Sequence, residues 1–245
     1  MFTLPKTKLA VLCLCLILAG CNAKNETAAN SPPRGGTTDP QELTQSAVEK
    51  QAIGAYEEAI GLLQQALDIN PRFVPAYYRM GLVYEEWDQR QEAIKAYEKV
   101  LEIEPANTSA RLGLGALYSK LNRNDLAIKE YLEVAKATPD DPELHFKIAL
   151  EYWYIQQLPK SAEHYRKVIE IHPGHMQGHL NLASVYQRMK EWDKALEEIE
   201  IALHLGRESN DEQAISIAEN KLAFITGRMN MTAKDFKRKT QPPFE

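Results

Sequence analysis

Pro71, Pro105, Pro139 and Pro173 follow one another at intervals of 34 residues, and no other feature restricts the folding of this chain so tightly. A proline pushes the residue before it out of helical geometry. Four of them at one interval therefore mark breaks between segments of equal length, which is how a repeat architecture shows itself in a sequence. The frame divides the chain into blocks 40-73, 74-107, 108-141, 142-175 and 176-209. Other places fall into register with it. The eighth is always small: Ala47, Gly81, Gly115, Ala149 and Ala183. The eleventh is Tyr84, Tyr118, Tyr152 and Tyr186 in the last four blocks, and the twentieth is Ala59, Ala93, Ala127, Ser161 and Ala195. The twenty-fourth is Leu63, Tyr97, Tyr131, Tyr165 and Ile199.

This pattern of period and residue type resembles the tetratricopeptide repeat across residues 40-209. The resemblance implies an all-α fold, an α-solenoid of stacked antiparallel helix hairpins. Small residues at the eighth and twentieth places let two helices approach closely, and the tyrosines fill the gaps between them. One hairpin cannot bury its apolar face alone, so the hairpins must stack. The first block has Ser46 and Lys50 where later blocks carry larger apolar or aromatic groups, as an end repeat should. The fifth has Arg207 in place of proline, followed by Ser209-Asn210-Asp211-Glu212, which reads as a capping box. Ile215, Ala218, Leu222 and Ile225 then recur at three- and four-residue spacing, with Gly227 as a stop, so residues 210-227 are predicted to form a C-terminal capping helix. The tail, 228-245, is basic through Lys234, Lys237, Arg238 and Lys239 and is predicted to be disordered.

The N-terminus has a different organisation. Lys6 and Lys8 precede an apolar run from Leu9 to Leu18, then Ala19 and Gly20, the pattern of an export signal over residues 1-20. The run is shorter than the roughly 20 residues a membrane-spanning helix needs. Leu18-Ala19-Gly20-Cys21 is similar to the lipobox of bacterial lipoproteins. That resemblance implies cleavage before Cys21 and lipidation of its sulfur, so that the chain is anchored in a membrane by its lipid. Asn22, where an aspartate favours inner-membrane retention in that family, points to the outer membrane of the bacterial cell envelope, facing the periplasm. Residues 21-39 are polar and rich in Ser, Thr, Pro and Gly, and read as a flexible tether.

Several kinds of chemistry drop out. All 3 cysteines lie at Cys13, Cys15 and Cys21, so the repeats have no thiol for a disulfide, a zinc site or a nucleophile. A net charge of -5 lacks the concentrated basic surface of a nucleic-acid binder. No phosphate loop and no Gly-x-Ser-x-Gly is present, and Gly113-Leu114-Gly115 lies inside a helical segment, where helix packing accounts for its glycines. No enzymatic activity, cofactor or small-molecule substrate is expected. One alternative stays open: His164, His172, His175 and His179 cluster in the sequence, and a ligand- or metal-binding site or an enzyme could be built on that region.

In tetratricopeptide proteins the first helix of each hairpin lines a concave groove. Carried over by place in the block, that resemblance assigns Tyr78, Leu82, Leu112, Phe146, Leu150, Trp153, Tyr154 and Leu180 to the groove as apolar members. Glu85, Glu86, Lys120, Glu143 and Arg188 are its charged members. The Lys or Arg and Asn of the family's carboxylate clamp have no counterparts at the fifth and ninth places. A groove so apolar suits an apolar or aromatic segment of another protein of the cell envelope. The reading is a membrane-anchored scaffold or adaptor, of the kind that assists type IV pilus or secretin assembly or gathers envelope hydrolases.

Overall fold

The structure, a computed structural model, describes residues 39-229. The signal segment, Cys21, the tether up to residue 38 and the tail from residue 230 lie outside the described residues. Among the described residues there are eleven helices and no strand. Five hairpins follow in order: α1 (Pro40–Ala52) with α2 (Tyr56–Ile69), α3 (Val74–Glu86) with α4 (Arg90–Ile103), α5 (Thr108–Lys120) with α6 (Asn124–Ala135), α7 (Pro142–Tyr154) with α8 (Leu158–Ile171), and α9 (Met176–Met189) with α10 (Trp192–Ser209). A final helix, α11 (Glu212–Arg228), packs on α10. Each helix contacts the next, and the hairpins stack in chain order. The expected all-α solenoid with a terminal capping helix is the fold observed.

Two kinds of break separate the helices. Between hairpins, Asn70, Glu104 and His172 precede the repeat prolines and have φ of -134°, -128° and -131°, the extended backbone that a following proline imposes. The next first helix is then capped by a side chain in most blocks: Asp39 accepts from Gln41 N, Asn107 from Ala110 N, Asp141 from Leu144 N and His175 from Gly178 N. Within hairpins, the fifteenth residue of every block is left-handed: Gly54, Asp88, Asn122, Gln156 and Lys190 have φ of 75°, 57°, 56°, 58° and 63°. The following N–H reaches back to the carbonyl of the eleventh residue. In the last four blocks these bonds run from Gln89, Arg123, Gln157 and Glu191 to Tyr84, Tyr118, Tyr152 and Tyr186, at 2.8 to 2.9 Å. That bond closes the last turn and reverses the chain.

Small residues and tyrosines then set the distance between helices. A Cβ added to Gly81 would collide with the ring of Tyr97, and one added to Gly115 with the ring of Tyr131. Tyr97 also lies against Gly113 of the next hairpin, where an added Cβ would come within 2.7 Å of its ring. One buried ring is thus clasped between the backbones of two first helices. The twentieth place, Ala59, Ala93, Ala127, Ser161 and Ala195, is fully buried throughout. In the fourth block Ser161 Oγ donates to the Ala149 carbonyl at 2.8 Å, which satisfies a hydroxyl in the core.

The C-terminal end departs from expectation in two places. Ser209 does not cap α11; it is the last residue of α10, and Asp211 is the N-cap, accepting from Ala214 N at 2.9 Å. With Arg207 standing where a proline would interrupt, α10 continues to 18 residues and ends only at Asn210, which is left-handed. Gly227 does not stop α11, which runs on to Arg228. A glycine inside a helix costs stability without breaking it.

The two kinds of glycine give opposite predictions. Gly115→Ala should lower stability by about 1–3 kcal/mol, because the Tyr131 ring must move within a packed core. Gly61→Ala, inside α2 with nothing within 4 Å of the new methyl, should raise it by about 0.5–1 kcal/mol. Urea midpoints of the two variants against the parent check both signs.

Candidate functional site

The face presented by the first helices is the candidate site, and its residues divide by burial. Tyr154 and Leu112 are open to solvent, at 56% and 38% exposure. Tyr78, Leu82, Phe146, Leu150 and Trp153 are half-buried. Tyr78 leans on the Tyr97 ring at 5.6 Å between centroids, and Phe146 meets the Tyr165 ring edge-on at 5.5 Å. Leu180 is different: at 2% exposure it belongs to the core cluster joining α7 to α11 and offers nothing to a partner. Its assignment to the groove is corrected on that ground.

Charged members of the face tie neighbouring hairpins together. Glu85 accepts from the Tyr97 hydroxyl at 2.8 Å and pairs with Lys120 of the next hairpin at 3.2 Å. Glu143 reaches His175 at 3.3 Å. Arg188 lies over Trp153 and donates to Gln156 Oε1 at 2.9 Å, again across hairpins. Between α7 and α9 the face opens into a cavity of about 140 Å³ lined by Leu150, Trp153, Tyr165, Asn181 and Ser184. Leu150 and Trp153 were legible from their place in the block. Asn181, at the sixth place, was not, and Ser184 shares the ninth place with Leu150 but is neither apolar nor charged, so its type did not mark it.

The clustered histidines do not converge. In each of the last four blocks the fourth residue bonds the carbonyl of the preceding repeat proline: Tyr77 to Pro71 at 3.2 Å, Arg111 to Pro105 at 2.9 Å, His145 to Pro139 at 2.8 Å and His179 to Pro173 at 2.9 Å. The same residue in three blocks meets the twenty-third: Arg111 with Glu130, His145 with His164, and His179 with Glu198. A carbonyl only accepts, so Nε2 of His145 and of His179 must carry a proton. His179 Nδ1 faces a carboxylate oxygen at 2.6 Å, so it donates as well and the ring is an imidazolium. His145 Nδ1 stands 3.0 Å from His164 Nδ1, so only one of those two nitrogens can hold the proton between them. His175 instead caps α9, and His172 ends α8 with its ring edge-on to His175. Among the described residues, no group of three or more His, Cys, Asp or Glu side chains is placed to share a metal ion. His145 escaped the sequence reading although it lies 34 residues after Arg111 and 34 before His179.

Comparison with known proteins agrees with this geometry. Residues 88-149 match a tetratricopeptide repeat model, residues 52-86 a TPR repeat model, and residues 172-228 the model of anaphase-promoting complex subunit 5. No curated protein matches the chain. Among solved structures, MamA (residues 41 to the end) from Desulfovibrio magneticus RS-1 is 24% identical with a TM-score of 0.63, covering 72% of this chain and 99% of that one. YrrB, described as a TPR protein with an unusual peptide-binding site, is 23% identical with a TM-score of 0.64, covering 75% and 93%. Another MamA crystal structure is 19% identical with a TM-score of 0.64, covering 71% and 94%. These likenesses bear on the fold, an all-α helical repeat solenoid, and support the tetratricopeptide hairpin as its unit.

The two histidine pairs respond to pH in opposite senses. Burial, then the neighbouring His145, lowers His164 to about 4, so the stability gained by keeping it neutral is present above its unfolded value of about 6.5 and is lost as pH falls toward 4. For His179, burial acts downward, but Glu198 and the Pro173 carbonyl more than offset it and raise the value. Its contribution is therefore present below about 6.5 and fades as pH rises through the folded value. His164→Glu would place beside His145 the partner that His179 has. The denaturation midpoint of that variant should fall less between pH 6.5 and 4 than the parent's; an equal fall would contradict the assignment.

Proposed function

We propose that the chain is a protein-interaction scaffold that holds an apolar or aromatic segment of a partner along the first-helix face, and that it works at the bacterial cell envelope, anchored through lipid on Cys21. The observation that carries the reading is the open cavity between α7 and α9. There Trp153 and Leu150 border solvent, and Tyr154 stands exposed beside them. Large apolar groups gathered at an opening are an interaction surface when a partner covers them. Aromatic anchors of this kind supply most of the affinity in such interfaces. The peptide-binding site named for YrrB, on a similar fold, supports the same use.

The anchor rests on the lipobox resemblance, and among the described residues no helix is long and apolar enough to cross a membrane. Outer-membrane attachment facing the periplasm follows from Asn22 in the same resemblance. The pathways that fit are type IV pilus or secretin assembly and the gathering of envelope hydrolases. Both require a rigid support that recognises another protein and performs no chemistry of its own.

Two experiments test the parts separately. With Phe146→Ala and Trp153→Ala combined, the partner recovered by cross-linking in intact envelopes should drop at least tenfold while the circular dichroism stays helical; unchanged recovery would sink the groove. Cys21→Ser should move the protein from the membrane fraction to the soluble fraction, and continued membrane attachment would count against the anchor.

A further inference from the structure

The cavity between α7 and α9 does not end at Ser184. Trp153 and Ser184 also border a larger cleft of about 530 Å³ that extends to α11, where Lys221, Phe224 and Arg228 line it. Among the described residues its lining holds four cationic side chains, Arg188, Lys190, Lys221 and Arg228, and no carboxylate, in a chain whose net charge is -5. None of the four forms an ion pair among the described residues. Arg188 is spread over Trp153 at 5.7 Å and Arg228 over Phe224 at 5.3 Å, so aromatic faces orient both guanidinium groups. Lys221 is the one of the four drawn back from water, the other three being exposed. Its ammonium is half-buried, its one hydrogen bond among the described residues goes to the neutral Ser184 hydroxyl at 2.7 Å, and burial lowers its pKa. A cation withdrawn from water without a counter-charge is destabilised, and an anion entering the cleft would restore what it has lost.

We propose that this cleft is a subsite for acidic residues of the partner segment, holding their carboxylates on Lys221, Arg188 and Arg228 while apolar neighbours lie against Trp153. The proposal rests on the groove reading above and adds the chemistry of the occupant: acidic as well as aromatic. Of the family's two clamp places, the fifth takes no part in it and the ninth supplies only Ser184, whose hydroxyl accepts from Lys221. The charges come from the thirteenth and fifteenth places of the last block and from α11, which lies outside the repeat. Carboxylate bonds to Arg and Lys are charge-assisted, and in a partly desolvated cleft they discriminate strongly against a neutral amide.

The test titrates the full-length protein with a fluorescent short peptide alternating Asp or Glu with Phe or Leu, and with its Asn/Gln counterpart, reading anisotropy. Sodium phosphate and phosphatidylglycerol vesicles serve as competitors. The acidic peptide should bind about tenfold or more tighter than the neutral one, and the difference should shrink with added salt. Lys221→Met, which keeps the volume of the side chain, should abolish that preference; Arg228→Gln, at an exposed position, should reduce it even if Lys221→Met fails to fold. Equal affinity for the two peptides, or a preference that survives both variants, overturns the proposal. So does competition by phosphate or vesicles as strong as that of unlabelled acidic peptide, which would mark a general anion or membrane site. If the acidic preference is missing while Phe146→Ala with Trp153→Ala still loses its cross-linked partner, the subsite falls and the groove stands.

Discussion

The tyrosine rings at the twenty-fourth place lie directly on the backbone of the first helices, in spaces that exist only because the facing residues have no side chain or a methyl. Tyr97 fits against Gly81 within its own hairpin and against Gly113 in the next, so a single ring fixes both the width of a hairpin and the spacing between hairpins. Everything built on the stack inherits those distances. Glu85 can reach both Tyr97 and Lys120, and Arg188 can cover Trp153 while bonding Gln156, because hairpins stand at one repeat distance. The binding face is held by the same packing that holds the core.

A second periodic element runs along the hairpins in polar form. The carbonyl of each repeat proline is accessible to a donor at the fourth place of the next helix, and that donor is a tyrosine, an arginine or a histidine in turn. The position demands a donor and leaves its identity free. The twenty-third place beside it follows: Glu130 answers Arg111 and Glu198 answers His179, whereas the fourth block sets one histidine against another. Two neutral rings can share a proton there at the cost of tolerance to acid. The histidines that stand out in the sequence are therefore members of a structural series, and the series shows only when residues 34 apart are compared rather than those adjacent in the chain.

That contrast explains what could be read in advance. Prolines, small residues and tyrosines were legible because each is required by type at a fixed place, so the period exposes them. Asp211 and the length of α10 were not, since the loss of proline at Arg207 changes where a helix ends without specifying the new end. Of the face, Trp153 and Leu150 followed from their places, but Leu180, at the fifth place like the half-buried Phe146, is buried because the cluster between α7 and α11 closes around it. Lys221 and Arg228 have no place in the 34-residue frame. They belong to a helix that is no repeat, and a period cannot place a residue outside itself.

The left-handed residue between the helices of each hairpin has a further consequence. Its conformation is imposed by the hydrogen bond that closes the turn, so the joint forms with glycine, aspartate, asparagine, glutamine or lysine alike, although a side chain there costs about 1–2 kcal/mol. The geometry is therefore constant while the chemistry is free. Along the chain the joints pass from Gly54, which contributes no side chain, to Lys190, whose ammonium-bearing arm lines the cleft beside α11. A solenoid of this kind can change what it recognises at its hinges without altering its curvature, because the residue that turns the chain is not obliged to be the residue that turns it best.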